Sequence, residues 1–119
     1  MRITSRRRRL IMNVAPRWGQ GKRNPTFARF PAFRSANYNC SVVNFSQGST
    51  TGWHTHNCDQ VLVVTSGSGK VATEHEQREI NVGDVVHIKA GERHWHGATA
   101  DTTMGHITIT LVGSQATHG

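Results

Sequence analysis

Two closely spaced histidine pairs are the residues of this sequence best suited to chemistry. His54 and His56 stand one residue apart in the stretch GWHTHNCDQVLVV, and His94 and His96 form a second pair about forty residues later. Alternate side chains of a β-strand point to the same face, so the two imidazoles of a pair can bind one ion. Gln60 keeps that alternation and stands where a third, acidic ligand would be expected. The stretch therefore predicts a metal site that lacks a carboxylate.

A single pair of this kind would be weak support for a metal site. The chain holds eight histidines, and a chance pair on a solvated strand is common in such a composition. Here each pair adjoins a tryptophan, Trp53 or Trp95, and each follows a glycine turn. Two pairs with the same surroundings favour a shared site over chance. The two tryptophans are predicted to lie in the core or in the wall of a pocket.

The elements that would position these residues are short β-strands separated by turns, and no segment keeps a helical period. Strands are predicted over residues 40–45, 60–66, 70–73 and 76–80, followed by the stretches VVHIKAG, HWHGAT and MGHITITLVG. The glycines of GSG at residues 67–69 are expected to end the second of these strands, and the two that follow read as edge strands. Many short strands with glycine turns predict an all-β sandwich or small barrel.

Two spaced motifs resemble those of the cupin superfamily. In the first motif the spaced residues are Gly48, His54, His56, Gln60 and Gly67. In the second motif they are Gly83, Lys89, Gly91 and His94. The spacing matches the family pattern, with Gln60 in place of its glutamate and Lys89 in place of its usual proline. The resemblance covers about residues 40–112, which is most of the predicted strand region.

The resemblance implies a single-domain double-stranded β-helix, or jelly-roll, cupin barrel that holds one divalent metal ion near its centre. By position it makes His54, His56 and His94 the imidazole ligands and puts Gln60 in the place of the carboxylate. The sequence looks most similar to a compact bacterial group that includes manganese-dependent hydroxynitrile lyases, where three histidines and one glutamine bind the metal. Manganese is the ion that this similarity implies, with iron, nickel, cobalt and zinc as alternatives.

Three functions are compatible with such a site, because one fold and one metal site host many activities. The resemblance implies a lyase that acts on small hydroxynitrile or carbonyl compounds through a Lewis-acid metal and a histidine base. A non-catalytic cupin that binds a metal and a small-molecule ligand is the first alternative. An iron-dependent dioxygenase that binds oxygen at open coordination positions is the second.

The glutamine changes which groups can move protons. Four neutral ligands leave the charge of a divalent ion uncompensated, which favours Lewis-acid chemistry, but glutamine cannot accept a proton as glutamate does. His96 shares the face of His94, and His106 leads a strand whose Thr108 and Thr110 are predicted to face the same cavity. His96 and His106 are therefore the predicted catalytic residues for proton transfer, with hydrogen bonding to a ligand or to the backbone as the alternative role.

The other histidines and both cysteines carry weaker predictions. His87, in the stretch VVHIK, is interpreted as structural. His75 and His118 lie in polar or terminal surroundings and are predicted to be exposed. Cys40 and Cys58 form no CxxC motif, so both are interpreted as free thiols.

The net charge of +7 is distributed unevenly along the chain. Residues 1–34 contain ten basic residues and no acid, whereas residues 35–119 contain four basic and seven acidic residues. A terminal block of like charge is typically solvated and disordered. The arginine run at residues 6–9 also lacks the interleaved aromatic residues of a nucleic-acid interface. The charge therefore indicates a basic arm and argues against a nucleic-acid partner.

These patterns divide the chain into three predicted parts. Residues 1–36 form a basic arm that is partly disordered, wraps the barrel or dimerises, residues 37–113 form the cupin barrel, and residues 114–119 form a tail. The segment at residues 18–33, rich in aromatic residues and proline, is predicted to pair two copies into a homodimer. No run of about 18 apolar residues is present to span a membrane, and no signal-peptide core is present, so a cytoplasmic location is expected.

Overall fold

The computed structural model describes residues 1–5, 27–33 and 35–119, which contain ten β-strands and no helix. The strands are β1 (Arg2–Thr4), β2 (Phe27–Phe33), β3 (Tyr38–Phe45), β4 (His54–His56), β5 (Gln60–Thr73), β6 (Gln77–Asn81), β7 (Val85–Ile88), β8 (His94–Ala98), β9 (Met104–Leu111) and β10 (Ala116–His118). The arginine run at residues 6–9 and Trp18 lie outside the described residues. In the described part of the chain, no helix is long and apolar enough to cross a membrane.

Two curved antiparallel sheets form the barrel, and β5 belongs to both. In the first sheet the strands follow the order β2, β3, β9, β5, β7 and β1. In the second sheet the order is β10, β4, β8, β5 and β6. This arrangement confirms the predicted all-β jelly-roll barrel.

The long strand β5 shows that one prediction was wrong. The GSG stretch was expected to end a strand, yet β5 continues through it from residue 60 to residue 73. Its first half pairs with β9 and its second half with β8 and β6, so residues 70–73 are central and buried, not an edge. A register shift between Val64 and Ser66 and a φ of +66° at Gly67 let the strand bend from one sheet into the other. A side chain at Gly67 would also collide with the carbonyl group of Thr103.

The barrel interior changes from apolar to polar along its strands. The hydrophobic core consists of Val43, Phe45, Leu62, Val64, Val71, Ile80, Val86, Ile88, Ala98 and Met104. On β9, Met104 is followed on the same buried face by His106, Thr108 and Thr110, while the intervening isoleucines lie half-buried on the outer face. This confirms the predicted alternation of that strand. The core thus fills one part of the interior and leaves a polar part beside it.

The segments on either side of the predicted barrel add strands to it. From the predicted basic arm, β1 pairs with β7 and β2 pairs with β3. From the predicted C-terminal tail, β10 pairs with β4, where Ala116 lies opposite His56 and His118 opposite His54. Strands β2 and β10 therefore carry residues of both segments to the polar part of the interior.

Candidate metal centre

Three histidines on two neighbouring strands meet in the polar interior. His54 on β4 lies directly opposite His94 on β8, and His56 is two residues further along β4. One ring nitrogen from each of the three lies within 4.8 Å of the others. Imidazole nitrogens bind divalent metals at about 2 Å, so nitrogens this close can share one ion. The structure thus brings together the three histidines that the sequence predicts as ligands.

Hydrogen bonds to the backbone orient two of these rings. Nδ1 of His54 donates to the carbonyl oxygen of Gly52 at 2.9 Å, and Nδ1 of His94 donates to that of Glu92 at 2.8 Å. A neutral imidazole with its proton on Nδ1 has a lone pair on Nε2. Hydrogen bonds of this kind set the tautomer of metal-binding histidines. His54 and His94 therefore offer Nε2 as the metal-binding atom.

Gln60 adds an oxygen to this cluster. Its Nε2 donates to Oγ1 of Thr108 at 2.8 Å, and its Oε1 lies 3.0 Å from Nε2 of His94. With the proton of His94 on Nδ1, these two facing atoms are both acceptors and have no hydrogen between them. Two such acceptors repel each other unless a cation lies close to both. The donor set therefore fits a metal ion held by three imidazoles and one amide oxygen.

Burial keeps the cluster uncharged. Loss of solvent lowers the pKa of His94 to about 3 and the pKa of His54 to about 4. Burial also lowers the pKa of His56, and the positive charge of Arg29 lowers it further. A histidine binds a metal in its neutral form. At neutral pH these imidazoles can therefore bind an ion without first losing a proton.

A second pair of buried histidines lies beside the cluster. The ring of His96 is nearly parallel to that of His94, with 5.8 Å between centroids and 14° between planes. Nδ1 of His96 lies 3.0 Å from Nε2 of His106, and their ring centroids are 4.8 Å apart. Nε2 of His96 has no hydrogen-bond partner in the part of the chain that the structure describes. The two predicted proton-transfer residues are thus in direct contact with each other.

The shared hydrogen bond of this pair allows two arrangements. When His96 donates from Nδ1, its Nε2 carries a lone pair and can accept a proton. When His106 donates instead, His96 carries its proton on Nε2 and can give it away. Burial lowers the pKa of His96 well below its ordinary value and the pKa of His106 to about 4. Both rings are therefore neutral at neutral pH, and the pair can serve as acceptor or donor.

Acid is expected to destabilise the metal-free protein because these histidines are buried as neutral rings. In the unfolded chain a histidine has a pKa of about 6.5, whereas folding lowers the pKa of His54 and His106 to about 4 and that of His94 to about 3. The stability that depends on neutral rings is complete above pH of about 6.5. As the pH falls from there toward the pKa of the folded state, each buried histidine reduces the free energy of unfolding by about 1.4 kcal/mol per pH unit. Urea unfolding at two pH values, neutral and mildly acidic, measures the loss.

Two variants test whether buried histidines cause this pH dependence. His106→Gln is expected to reduce the loss of stability between the two pH values, because one buried titrating ring is removed. His75→Gln replaces an exposed histidine in the turn after β5 and is expected to leave the loss unchanged. An equal loss in His106→Gln and the unaltered protein would show that His106 does not contribute.

A cavity of about 280 Å³ opens onto these histidines. It is lined by Phe27, Arg29, Asn39, Val43, Thr51, His54, His56, Gln60, His96, His106, Thr108, Thr110, Ser114, Ala116 and His118. Of the predicted site residues, only the fully buried His94 is missing from this wall. Aspartate and glutamate are absent from these lining residues. The wall of the cavity is therefore neutral or positively charged. The volume of the cavity suits a small molecule.

Two charged or titratable residues of this wall were not predicted from the sequence. Arg29 was assigned to a solvated arm, but it lies on β2 on the same face as Phe27. His118 was predicted to be exposed; it is exposed, yet its ring centroid lies 5.8 Å from that of His54. Strand alternation could have revealed both residues from the sequence. The stretch FARF places Phe27 and Arg29 on one face of a strand, and ATH does the same for Ala116 and His118.

Trp95 and His87, for which the sequence also gave predictions, lie outside the cavity wall. Trp95 is fully buried on the face of β8 opposite to the histidines, with its ring centroid 6.5 Å from that of Trp53. It belongs to the core and not to the pocket wall. His87 bonds through Nε2 to a carboxylate oxygen of Asp59 at 2.8 Å. This contact fits the structural role predicted for His87.

Comparison with protein families matches residues 41–114, more than half of the chain, to the cupin domain. The chain belongs to the cupin family. This cupin is similar to the (R)-mandelonitrile lyase of Granulicella tundricola, with 47% identity over 68 residues. The match covers 56% of this chain and 52% of the relative, so the chain spans about half the length of that relative.

Solved structures share the fold of this cupin. A cupin-like protein from Thermotoga maritima superposes with a TM-score of 0.71 at 27% identity, over 86% of this chain and 88% of that protein. The DMSP lyase DddQ from Ruegeria pomeroyi also gives a TM-score of 0.71, at 20% identity, over 78% of this chain and 51% of that protein. At such low identity the second likeness shows the fold alone.

Proposed function

We propose that this cupin is a metal-dependent lyase that cleaves a small hydroxynitrile or related carbonyl adduct. The observation that carries the proposal is the buried, neutral pair of His96 and His106 beside the cluster of three histidines and Gln60. The cluster offers a site for the metal, and the pair offers a base that the glutamine cannot supply. The relative that is 47% identical over 68 residues carries the name (R)-mandelonitrile lyase, which supports the same class of reaction.

Four neutral groups would hold the metal, namely the ring nitrogens of His54, His56 and His94 and Oε1 of Gln60. Manganese is the ion we propose, because it accepts more ligands than tetrahedral zinc and so leaves positions open for a substrate. When bound, the ion supplies a Lewis acid whose charge the protein does not neutralise, and which polarises a hydroxyl or carbonyl oxygen.

His96 would act as the base for the substrate hydroxyl. Its Nε2 accepts the hydroxyl proton while the bond between the carbinol carbon and the cyanide carbon breaks, and the electron pair of that bond leaves with cyanide. Transfer of the other ring proton from Nδ1 of His96 to Nε2 of His106, 3.0 Å away, moves the charge onto His106. Because burial lowers the pKa of both rings, the pair then returns the proton to cyanide, which departs as hydrogen cyanide.

The direct test is cleavage of mandelonitrile. Manganese-loaded protein is expected to release benzaldehyde, followed by its absorbance, faster than metal-free protein at the same concentration. The same rate without oxygen would exclude a dioxygenase reaction. Benzaldehyde release no faster than in the metal-free control rejects the lyase proposal and leaves the cavity with a binding role.

We also propose that two copies of this cupin pair through the outer face of the first sheet. Phe30 and Phe33 on β2, Tyr38 on β3 and Leu111 on β9 are each at least half exposed. An apolar face of this kind is unfavourable in water and is typical of a protein interface. The face includes part of the aromatic segment at residues 18–33 from which the homodimer was predicted.

Light scattering on the eluting protein tests this pairing. A mass of twice 13.2 kDa is expected for the unaltered chain. Leu111→Ser is expected to shift the mass toward that of one chain, because it places a polar group in the apolar face. A mass of one chain for the unaltered protein at micromolar concentration contradicts the proposed dimer.

A cytoplasmic location is our proposal as well. Cys40 is buried, Cys58 is half-buried, and both are free thiols. The cytoplasm keeps thiols reduced, whereas oxidising compartments favour disulfides. Fractionation of the source cells with an antibody against the protein would test this location.

A further inference from the structure

An arginine side chain stands at the mouth of the cavity, on the side of β2. Phe27 of that strand stacks on Phe45 with 5.2 Å between ring centroids, which identifies the inward face of β2. Arg29 is two residues further along, so it points to the same side, opposite Val43 of β3. Arg29 lines the cavity but remains exposed to solvent. Its guanidinium can therefore meet a ligand that enters from outside.

The charges around this cavity are positive or absent. Among the lining residues that the structure describes, Arg29 is the only one with a permanent charge, and none is a carboxylate. Arg29 lines the same cavity as His56 on β4 and His106 on β9, so its charge faces two other strands of the wall. The neutral metal-binding groups add no negative charge. A negatively charged ligand would therefore find a favourable potential along the whole cavity.

We propose that Arg29 selects a small substrate that carries a carboxylate group beside the hydroxynitrile or carbonyl function cleaved at this site. A guanidinium presents paired donors that match the two oxygens of a carboxylate, and such charged hydrogen bonds are stronger than neutral ones. Phe27 and Val43 lie beside Arg29 in the wall and provide apolar surface for the hydrocarbon part of the molecule. This inference rests on the proposed function, because it names the class of substrate for the same site. Its test measures binding and requires no turnover.

The test compares two probes that differ in charge. The binding of mandelate and of mandelamide, its uncharged counterpart, is measured by calorimetry on the manganese-loaded full chain. The unaltered protein is expected to bind mandelate at least about tenfold more tightly than mandelamide. Arg29→Gln is expected to lower that preference by about tenfold, because any contribution of the metal to the preference is present in both proteins.

A matched variant controls for the overall charge. Arg78→Gln removes the same charge from an exposed position on β6 that does not line the cavity, and is expected to change the preference by less than about twofold. An unchanged preference in Arg29→Gln, an equal decrease in both variants, or no preference in the unaltered protein would each overturn the inference. Carboxylate selection that depends on Arg29 in a protein that does not cleave mandelonitrile would reject the lyase reaction and keep the anion site.

Discussion

Replacing His56 by alanine is expected to abolish manganese binding by this cupin and, with it, the cleavage of mandelonitrile. His56 contributes one of the three ring nitrogens that lie within 4.8 Å of one another. Loss of even an outer partner of a ligand lowers metal affinity by about 10- to 100-fold, so loss of a ligand itself should cost more than about 100-fold. His56 is only half-buried, so the barrel should fold without this imidazole. Competition with a chelating dye measures the affinity.

The matched control for this variant is His118→Ala. His118 lies on the neighbouring strand and lines the same cavity, but its ring does not belong to the group of three that can share an ion. Its replacement is therefore expected to leave the manganese affinity unchanged. Manganese affinity in His56→Ala equal to that of the unaltered protein would place the metal elsewhere. A loss in both variants would make His118 a further ligand.

Replacing His96 by glutamine is expected to lower kcat by about 10²- to 10⁴-fold while the manganese content stays unchanged. The reason is that His96 lines the cavity and its Nε2 has no partner among the described residues, whereas glutamine cannot take up a proton there. His106→Gln should have a smaller effect, of about 10- to 100-fold, because His106 acts through the tautomer of His96. Kinetics on metal-saturated protein, with metal analysis of the same samples, measures both effects.

His87→Gln serves as the control for these two variants. His87 is a histidine bonded to Asp59 on the other side of the sheet, away from the cavity, so its replacement should leave kcat within about twofold. The pH profile adds a second readout, since loss of the base should flatten the acid limb of the profile in His96→Gln. Full activity in His96→Gln would exclude His96 as the base.

The sequence predicted the three clustered histidines from strand alternation and from their resemblance to the cupin motifs. Alternation places His54 and His56 on one face of a strand, and the spacing to Gln60 keeps the same face after the turn. The alternation of His106, Thr108 and Thr110 in the last long strand was predicted in the same way and is confirmed by their burial. The prediction that glycines end β5 was wrong. Glycine makes both a bend and a turn of the backbone less costly. Only the pairing of β5 with strands of both sheets shows that a bend occurs here.

The contribution of the flanking segments could not be predicted from local patterns. Arg29 stands in a run of positive charge that reads as a solvated arm, and His118 stands next to the last residue of the sequence. Each enters the cavity wall because its strand pairs with a distant one, β2 with β3 and β10 with β4. Such pairing depends on the fit of whole sheet edges, which no short stretch of sequence specifies.

The sequence by itself determined the residue types of the site, the absence of a carboxylate in the metal motif and the strands that carry its ligands. The residue types are read directly from the chain, and the face that neighbouring side chains share follows from alternation within a strand, which needs no distant partner. The tertiary structure alone decided that His54 faces His94, that His106 lies behind His96, and that Arg29 is the charge at the cavity mouth. These are contacts between strands far apart in the chain, set by sheet register and by the curvature that closes the barrel.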